Sequence, residues 1–196
     1  MRHGSSSRHG GFTLLELLLT MAVAATLTGL AIPVLSNAAD DIRTSMAARY
    51  LASRIRSARM DAVRRATSVA LRLEPGRADY SVRIYADGNG NGVRSADIDR
   101  GLDPPLGAAE RLADNFPGVR FGLVEGASDA DGEMSGAEGV RIGIARILTL
   151  GPDGTATPGT LYVRGRRAQY AVRVFGFTGR TRVLWYRAGA RTWIER

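Results

Sequence analysis

An apolar segment near the start of the chain constrains its fold more than any other feature. Residues 12–35 form a run of 24 residues that carries a single charge, Glu16. As a helix the run would be roughly 36 Å long, which is enough to cross a bilayer core of about 30 Å with some tilt. Arg2 and Arg8 precede it. The positive-inside rule therefore predicts a cytoplasmic N-terminus and a translocated remainder.

Three kinds of N-terminal segment account for parts of this pattern. A cleaved signal peptide would use the small residues at 36–38, but the run is longer than the usual apolar core of such a peptide. A plain membrane anchor leaves Glu16 unexplained, since an acid at the bilayer centre costs about 2.5–3.5 kcal/mol on insertion scales. If the chain is instead cleaved after Gly11, the new amino group of Phe12 can pair with Glu16 of a neighbouring copy.

The sequence GFTLLEL at residues 11–17 resembles the prepilin cleavage motif of type IV pilins and type II secretion pseudopilins. The resemblance implies cleavage after Gly11, N-methylation of Phe12 by a prepilin peptidase, and a role for Glu16 in filament assembly. It implies a leader at 1–11 and a transmembrane helix at 12–35. The protein would then cross the inner membrane once, with its C-terminal domain in the periplasm, before it joins a filament.

The helical pattern continues over residues 36–66, where Leu51, Ile55, Ala58 and Ala62 fall on one face. From residue 68 the period changes to two, which is typical of strands. The predicted strands cover residues 68–73, 80–86, 119–124, 140–150, 161–164, 169–177, 182–187 and 192–195.

A long helix followed by antiparallel strands indicates an α+β fold. It resembles the pilin fold, in which the first half of an N-terminal helix spans the membrane and the helix packs on an antiparallel β-sheet. We expect a globular β-rich domain over residues 67–196, with a variable acidic loop at 87–139. Residues 52–71 resemble the helix-to-strand segment of H-type minor pseudopilins of type II secretion and of T-type fimbrial minor pilins.

The residue inventory argues against an enzyme. The chain has no cysteine and no lysine, and its two histidines, His3 and His9, lie in the predicted leader. A mature chain without these residue types cannot form a Ser-His-Asp triad, a zinc site of His or Cys, or a Schiff-base lysine. We expect no cofactor other than the calcium ion considered next.

The acidic loop opens with an Asp/Asn/Gly-rich segment that supports two interpretations. Asp87, Asn89 and Asn91 alternate with glycines, and Asp97 and Asp99 follow. Oxygen ligands at alternate positions resemble the start of a calcium loop, although Ile98 occupies the position where an acid should close the site. The other interpretation is a turn, because Gly and Asn adopt positive φ readily.

The C-terminal part of the chain is strongly basic. Residues 140–196 contain eleven arginines and two acids. The Gly-Arg-Thr-Arg sequence ending at Arg182 resembles a motif that is linked to DNA binding in T-type minor pilins. Guanidinium groups bind phosphates in a bidentate manner. The predicted DNA-binding residues are Arg166, Arg167, Arg180 and Arg182, although arginines at hairpin turns are also common in the secretion subunits.

Two functions follow from these patterns. The first is that of a minor pseudopilin, a structural subunit at the start or tip of the periplasmic filament of a type II secretion system. The second is that of a minor type IV pilin that binds DNA for natural transformation. In either case the expected partners are other pilins or pseudopilins, the prepilin peptidase, an inner-membrane assembly platform and membrane lipid, with DNA added in the second. A secreted domain without a filament is a third possibility.

Overall fold

The structure, a computed structural model, describes residues 13–77, 79–130 and 139–195. The chain divides into two compact units with the boundary after Ala38. The helices are α1 (Leu14–Arg65), α2 (Ser95–Asp99) and α3 (Leu112–Asn115). The ten strands in chain order, over the described residues, are β1 (Val69–Pro75), β2 (Tyr80–Ala86), β3 (Glu110–Arg111), β4 (Arg120–Phe121), β5 (Val140–Arg141), β6 (Ile147–Leu150), β7 (Gly159–Arg164), β8 (Gln169–Val174), β9 (Thr181–Arg187) and β10 (Thr192–Glu195).

Local signals explain where α1 begins and ends. The hydroxyl of Thr13 accepts a hydrogen bond from the backbone N–H of Glu16 at 3.2 Å, which satisfies one of the free donors of the first turn. At the other end Ala66 adopts a left-handed φ of 52°. The N–H of Thr67 then donates back to the carbonyl of Ala62, so the helix closes in a C-cap before β1.

The strands form two antiparallel sheets. The first has the order β3-β2-β1-β6, and the second has the order β10-β9-β8-β7-β4, with β5 also paired to β7. The hairpin of β1 and β2 pairs Val69 with Ala86 and Pro75 with Tyr80. A carboxylate links the two sheets, because Oδ1 of Asp79 accepts from the N–H of Phe121 at 2.9 Å.

One face of α1 and both sheets enclose the main core. Leu51, Ile55, Ala58 and Ala62 are at most 2% exposed, so the predicted apolar face is confirmed. The same cluster contains residues of the first sheet, such as Leu71, and of the second, whose buried members include Leu161, Val163, Tyr170 and Val172. The α+β arrangement predicted from the sequence, with a long helix packed on antiparallel sheet, is therefore confirmed.

Three strand predictions need correction. Residues 140–150 do not form one strand: β5 belongs to the second sheet and β6 to the first. Between them Gly143 and Arg146 have φ values of 38° and 51°, which an extended strand cannot contain. The strand predicted at 169–177 ends at Val174, where a turn to β9 begins. In the segment predicted at 119–124, only Arg120 and Phe121 pair as a strand.

The region predicted as a variable acidic loop contains short regular elements. It includes α2, β3, α3 and β4, and its residues 131–138 lie outside the described residues. Leu112 of α3 and Phe121 of β4 are buried in the main core. Residues 112–121 of this region are therefore attached to the sheets by packed apolar side chains.

We expect Ile55→Ala to destabilise the globular unit strongly, because its side chain is fully buried between α1 and the sheets. Losing those methyl groups should lower the free energy of unfolding by about 2–5 kcal/mol. Met60→Ala is the matched control, since Met60 lies on the same helix and is 57% exposed. Denaturant unfolding followed by circular dichroism measures both. Equal losses in the two variants would contradict this packing.

Candidate functional site

The first half of α1 has no apolar partner among the described residues of its own unit. The large apolar side chains of residues 14–35 are 51–77% exposed. In the described part of the chain, α1 is the one helix that is long and apolar enough to cross a membrane. The hydroxyls of Thr20, Thr26 and Thr28 donate to carbonyls of the preceding turn at 2.8–2.9 Å. These polar groups are thereby satisfied without water.

Glu16 is the charged group of this apolar half. It lies in the first turn of α1, where a negative charge interacts favourably with the helix dipole. Gly11 and Phe12, the predicted cleavage and methylation residues, lie outside the described residues. The roles of Gly11, Phe12 and Glu16 therefore stay predictions.

The globular unit attaches to α1 through a buried carboxylate, which we call the Asp40 clamp. Asp40 is 6% exposed, and its oxygens accept hydrogen bonds from three consecutive backbone N–H groups of the turn between β7 and β8. The donors are Arg166 at 2.9 Å, Arg167 at 2.9 Å and Ala168 at 3.0 Å. Burial alone would raise the pKa of the Asp40 carboxyl, but these three donors and the Arg166 charge together hold that pKa below its usual value.

Close packing makes the clamp specific. The hydroxyl of Thr44, one turn along α1, is buried and donates to the Asp40 carbonyl at 2.7 Å. A Cβ on Gly165 would lie 2.5 Å from Oδ1 of Asp40, so the turn can approach the helix only with glycine there. Beside it, the Tyr170 hydroxyl donates to Oδ1 of Asp41 at 2.9 Å.

Two further contacts fix α1 along its length. In the middle, Glu110 of β3 accepts from the Tyr50 hydroxyl at 2.6 Å and from Arg54 at 2.9 Å. The bond to Glu110 raises the pKa of the Tyr50 hydroxyl. Near the end of the helix, Nε of Arg59 donates to the Gly154 carbonyl at 2.9 Å. The helix is thus hydrogen-bonded to the sheets near both ends of its packed half.

The loop after β2 is organised by carboxylates that accept backbone N–H groups. Oδ1 of Asp87 accepts from Asn89 at 3.2 Å and Gly90 at 2.8 Å, and Oδ2 accepts from Gly92 at 2.8 Å. Asp103, which sequence reasoning missed, is 1% exposed. It accepts from Gly88 at 3.1 Å and from the N–H of Arg94 at 3.0 Å.

The predicted calcium ligands are only partly brought together. Nδ2 of Asn91 donates to Asp97 at 3.1 Å, but the Asp99 carboxylate lies 3.2 Å from the Arg72 guanidinium of β1 instead. No group of three or more carboxylates within residues 13–77, 79–130 and 139–195 could hold a metal ion. The geometry favours a carboxylate-capped turn, and calcium binding stays a prediction.

The four arginines predicted to bind DNA lie in two separate places. Arg166 and Arg167 are exposed on the turn between β7 and β8, whereas Arg180 and Arg182 lie at the opposite end of β8, in and just after the turn to β9. Arg182 pairs with Glu195 at 2.9 Å and lies over the Phe175 ring at 5.2 Å. The structure does not bring the two pairs together.

The Asp40 clamp was not predicted, although the sequence carries a signal for it. Asp40 precedes Thr44 by four residues and Leu51 by eleven, so it lies on the same helical face that the buried residues occupy. A carboxylate on a buried face requires hydrogen-bond donors. The identity of those donors, more than 120 residues away, could not be read from the sequence.

We expect Asp40→Asn to destabilise the globular unit, because an Asn amide presents donors where the turn also presents donors. The free energy of unfolding at neutral pH should fall by about 1–3 kcal/mol. Because the folded pKa of Asp40 is lowered, its contribution is present above about pH 5 and is lost as the pH falls through the unfolded and then the folded pKa.

Urea unfolding at stepwise lower pH measures this prediction. Wild type should lose stability towards acid more steeply than Asp40→Asn, with Asp61→Asn, a carboxylate of the same helix that pairs with Arg64, as control. Parallel pH curves for wild type and Asp40→Asn would contradict the proposed contribution of the clamp.

Comparison with known proteins agrees both with the apolar N-terminal half of α1 and with the globular unit that follows it. Residues 6–32 match the prokaryotic N-terminal methylation motif, and residues 47–177 match the family described as type II transport protein GspH. The chain is 39% identical over 82 residues to the pilin-like protein PilA1 of Thermus thermophilus, an alignment of 41% of this chain and 50% of that protein. The chain thus spans about half the length of this curated relative. No solved structure matches the chain.

These matches also agree with the long helix, its apolar first half and the antiparallel sheets. The GspH match covers more than half of the chain and includes α1 from Ala47 onwards and strands β1 to β8. Proteins of these families are structural subunits rather than enzymes. The chain therefore belongs to the family of the type II transport protein GspH and is a pilin-like protein of the minor pseudopilin kind.

Proposed function

We propose that this protein is a structural subunit, at the start or tip, of the periplasmic filament that a type II secretion system uses to export proteins across the outer membrane. The observation that carries the proposal is the division of α1. One half is covered by the protein's own sheets, and the other exposes apolar side chains along its whole length. Such a half needs lipid or neighbouring helices around it.

The subunit first resides in the inner membrane in this proposal. Residues 12–35 span the bilayer, with Arg2 and Arg8 on the cytoplasmic side. Residues 36–66 continue the helix into the periplasm, where the globular domain lies. A prepilin peptidase removes residues 1–11 and methylates Phe12. This order is supported by the match of residues 6–32 to the N-terminal methylation motif.

Glu16 then directs assembly. An unpaired carboxylate within the bilayer is unfavourable by about 2.5–3.5 kcal/mol on insertion scales. Pairing with the Phe12 amine of an adjacent pseudopilin removes that cost only in the filament, and only at one axial offset between the two helices. The partners are therefore other pseudopilins and the inner-membrane platform that assembles them.

A type IV pilus is the second candidate system. It is favoured by the similarity to a protein described as pilin-like. The assembly chemistry of Phe12 and Glu16 would be the same. DNA binding through Arg166, Arg167, Arg180 and Arg182 belongs to this candidate and stays a prediction. The separation of these arginines into two pairs argues against one continuous phosphate track.

Complementation of a deletion strain tests the assignment. Wild-type protein should restore release of type II substrates into the medium, whereas Glu16→Gln should not, because the amide removes the charge that pairs with the Phe12 amine. Glu16→Asp, which keeps the charge, should restore part of the secretion. Immunoblots of the membrane fraction check that all variants are present in equal amounts.

Restored pilus function or DNA uptake without any change in secretion would favour the type IV pilus. Full secretion by Glu16→Gln would contradict the assembly role of this carboxylate.

A further inference from the structure

Four arginines gather at one end of the globular unit, which we call the arginine-rich end: Arg120, Arg164, Arg166 and Arg167. Arg120 of β4 lies directly opposite Arg164 of β7 in the antiparallel register. The turn that follows β7 carries the other two, whose side chains are exposed. Within residues 13–77, 79–130 and 139–195, none of the four forms an ion pair with a carboxylate.

The pair Arg120–Arg164 is unfavourable as it stands. Like charges directly opposite each other on antiparallel strands repel. Nη1 of Arg164 donates to the Leu123 carbonyl at 3.0 Å, and its Nε is buried without a hydrogen-bond partner among the described residues. Burial lowers the pKa of Arg164, and the charge of Arg120 lowers it further. An anion beside the exposed arginines would relieve the repulsion.

Two acids among the described residues at this end, Asp40 and Asp79, are turned inward. Asp40 is buried, and both of its oxygens already accept backbone N–H groups. Asp79 uses Oδ1 for the N–H groups of Tyr80 and Phe121, and its Oδ2 is buried. These two carboxylates thus hold the backbone in place, while the side chains of Arg120, Arg166 and Arg167 remain exposed.

We propose that the arginine-rich end binds the phosphates of anionic phospholipid headgroups while the subunit resides in the membrane. The proposal rests on the membrane span given under the proposed function. The turn contacts Asp40, which follows Leu35, the last residue of the apolar run, by five positions. Five residues of fully extended chain reach at most about 18 Å. The covalent chain therefore limits how far the residue that holds this turn can lie from the end of the apolar run.

Lipid is favoured over nucleic acid by where the other arginines lie. DNA needs a track of phosphate contacts along the protein. Arg180 and Arg182 are at the opposite end of β8, and Arg182 is already paired with Glu195. Attraction to an anionic bilayer needs only one charged end that can approach the headgroups, and it is screened by salt. Headgroup binding would hold the unassembled subunit in one orientation at the surface and end when the helix leaves the bilayer.

The absence of cysteine allows a direct test with single labels. The full chain carrying Asn115→Cys is placed in lipid nanodiscs, and a fluorophore on that site is quenched by a nitroxide on lipid headgroups. Asn115 is exposed at the end of α3, two residues before Pro117, whose carbonyl accepts from Nη1 of Arg43 at 3.3 Å. Arg43 lies three residues after Asp40 on α1, so this label reports on the arginine-rich end. Phe177→Cys, 93% exposed in the β8–β9 turn, is the label for the opposite end.

We expect the N115C label to be quenched several-fold more in discs that contain phosphatidylglycerol than in phosphatidylcholine discs. The F177C label should show no such difference. Arg166→Gln/Arg167→Gln should abolish the difference, and their backbone N–H groups would still hold Asp40. Arg180→Gln/Arg182→Gln removes the same charge from the other end and should leave the difference unchanged. Raising the salt concentration should reduce the quenching difference of the wild-type arginine-rich end.

Three results would overturn the proposal while leaving the membrane span intact. One is equal quenching in both kinds of disc, with the chain fully inserted, which leaves the proposed function intact. Another is an equal loss of the quenching difference in both double-arginine variants, which would indicate an effect of net charge alone. The third is binding of a short DNA duplex to wild type but not to Arg166→Gln/Arg167→Gln, while the quenching difference between the two kinds of disc persists in that variant. A chain that fails to co-purify with discs contradicts the membrane span and this proposal together.

Discussion

The Asp40 clamp is the contact on which the geometry of the globular unit most depends. A single carboxylate of α1 accepts three consecutive N–H groups from the turn between β7 and β8. That turn belongs to the central hairpin of the second sheet, so the clamp sets the position of the whole sheet against the helix. Gly165 is needed because any Cβ there would collide with Asp40. Apolar packing of Ile55 and its neighbours supplies stability, and the clamp sets the position of the β7–β8 turn along α1.

A helix with two different halves links this fold to assembly. The half that ends in β1 buries its apolar face against sheets of the same chain. The half that begins at Leu14 exposes its apolar side chains and carries Glu16. A protein built in this way can pass from lipid to a bundle of similar helices without rearranging its globular unit, since both surroundings are apolar. The membership in the GspH family agrees with such a structural role.

Sequence reasoning succeeded where the determining interactions are local in the chain. The spacing of Leu51, Ile55, Ala58 and Ala62 gave the buried helix face, and alternation over residues 80–86 gave β2 as observed. It failed where contacts between residues far apart in the sequence determine the structure. Residues 140–150 look like one strand, yet their two ends pair with different sheets. Asp99 looked like a loop ligand, but Arg72 of a neighbouring strand attracts it. The donors to Asp40 could likewise be found only in three dimensions.

The N-terminus of the mature protein tests the central claim most directly. Intact and peptide mass spectrometry of the chain isolated from its membrane should show that residues 1–11 are absent and that Phe12 carries an N-methyl group. In the proposed function, this processing makes the amine available to Glu16 of the next subunit. A mature chain that begins at Ala39 would have lost the whole apolar half of α1. That result would contradict assembly through this helix and indicate a secreted domain instead.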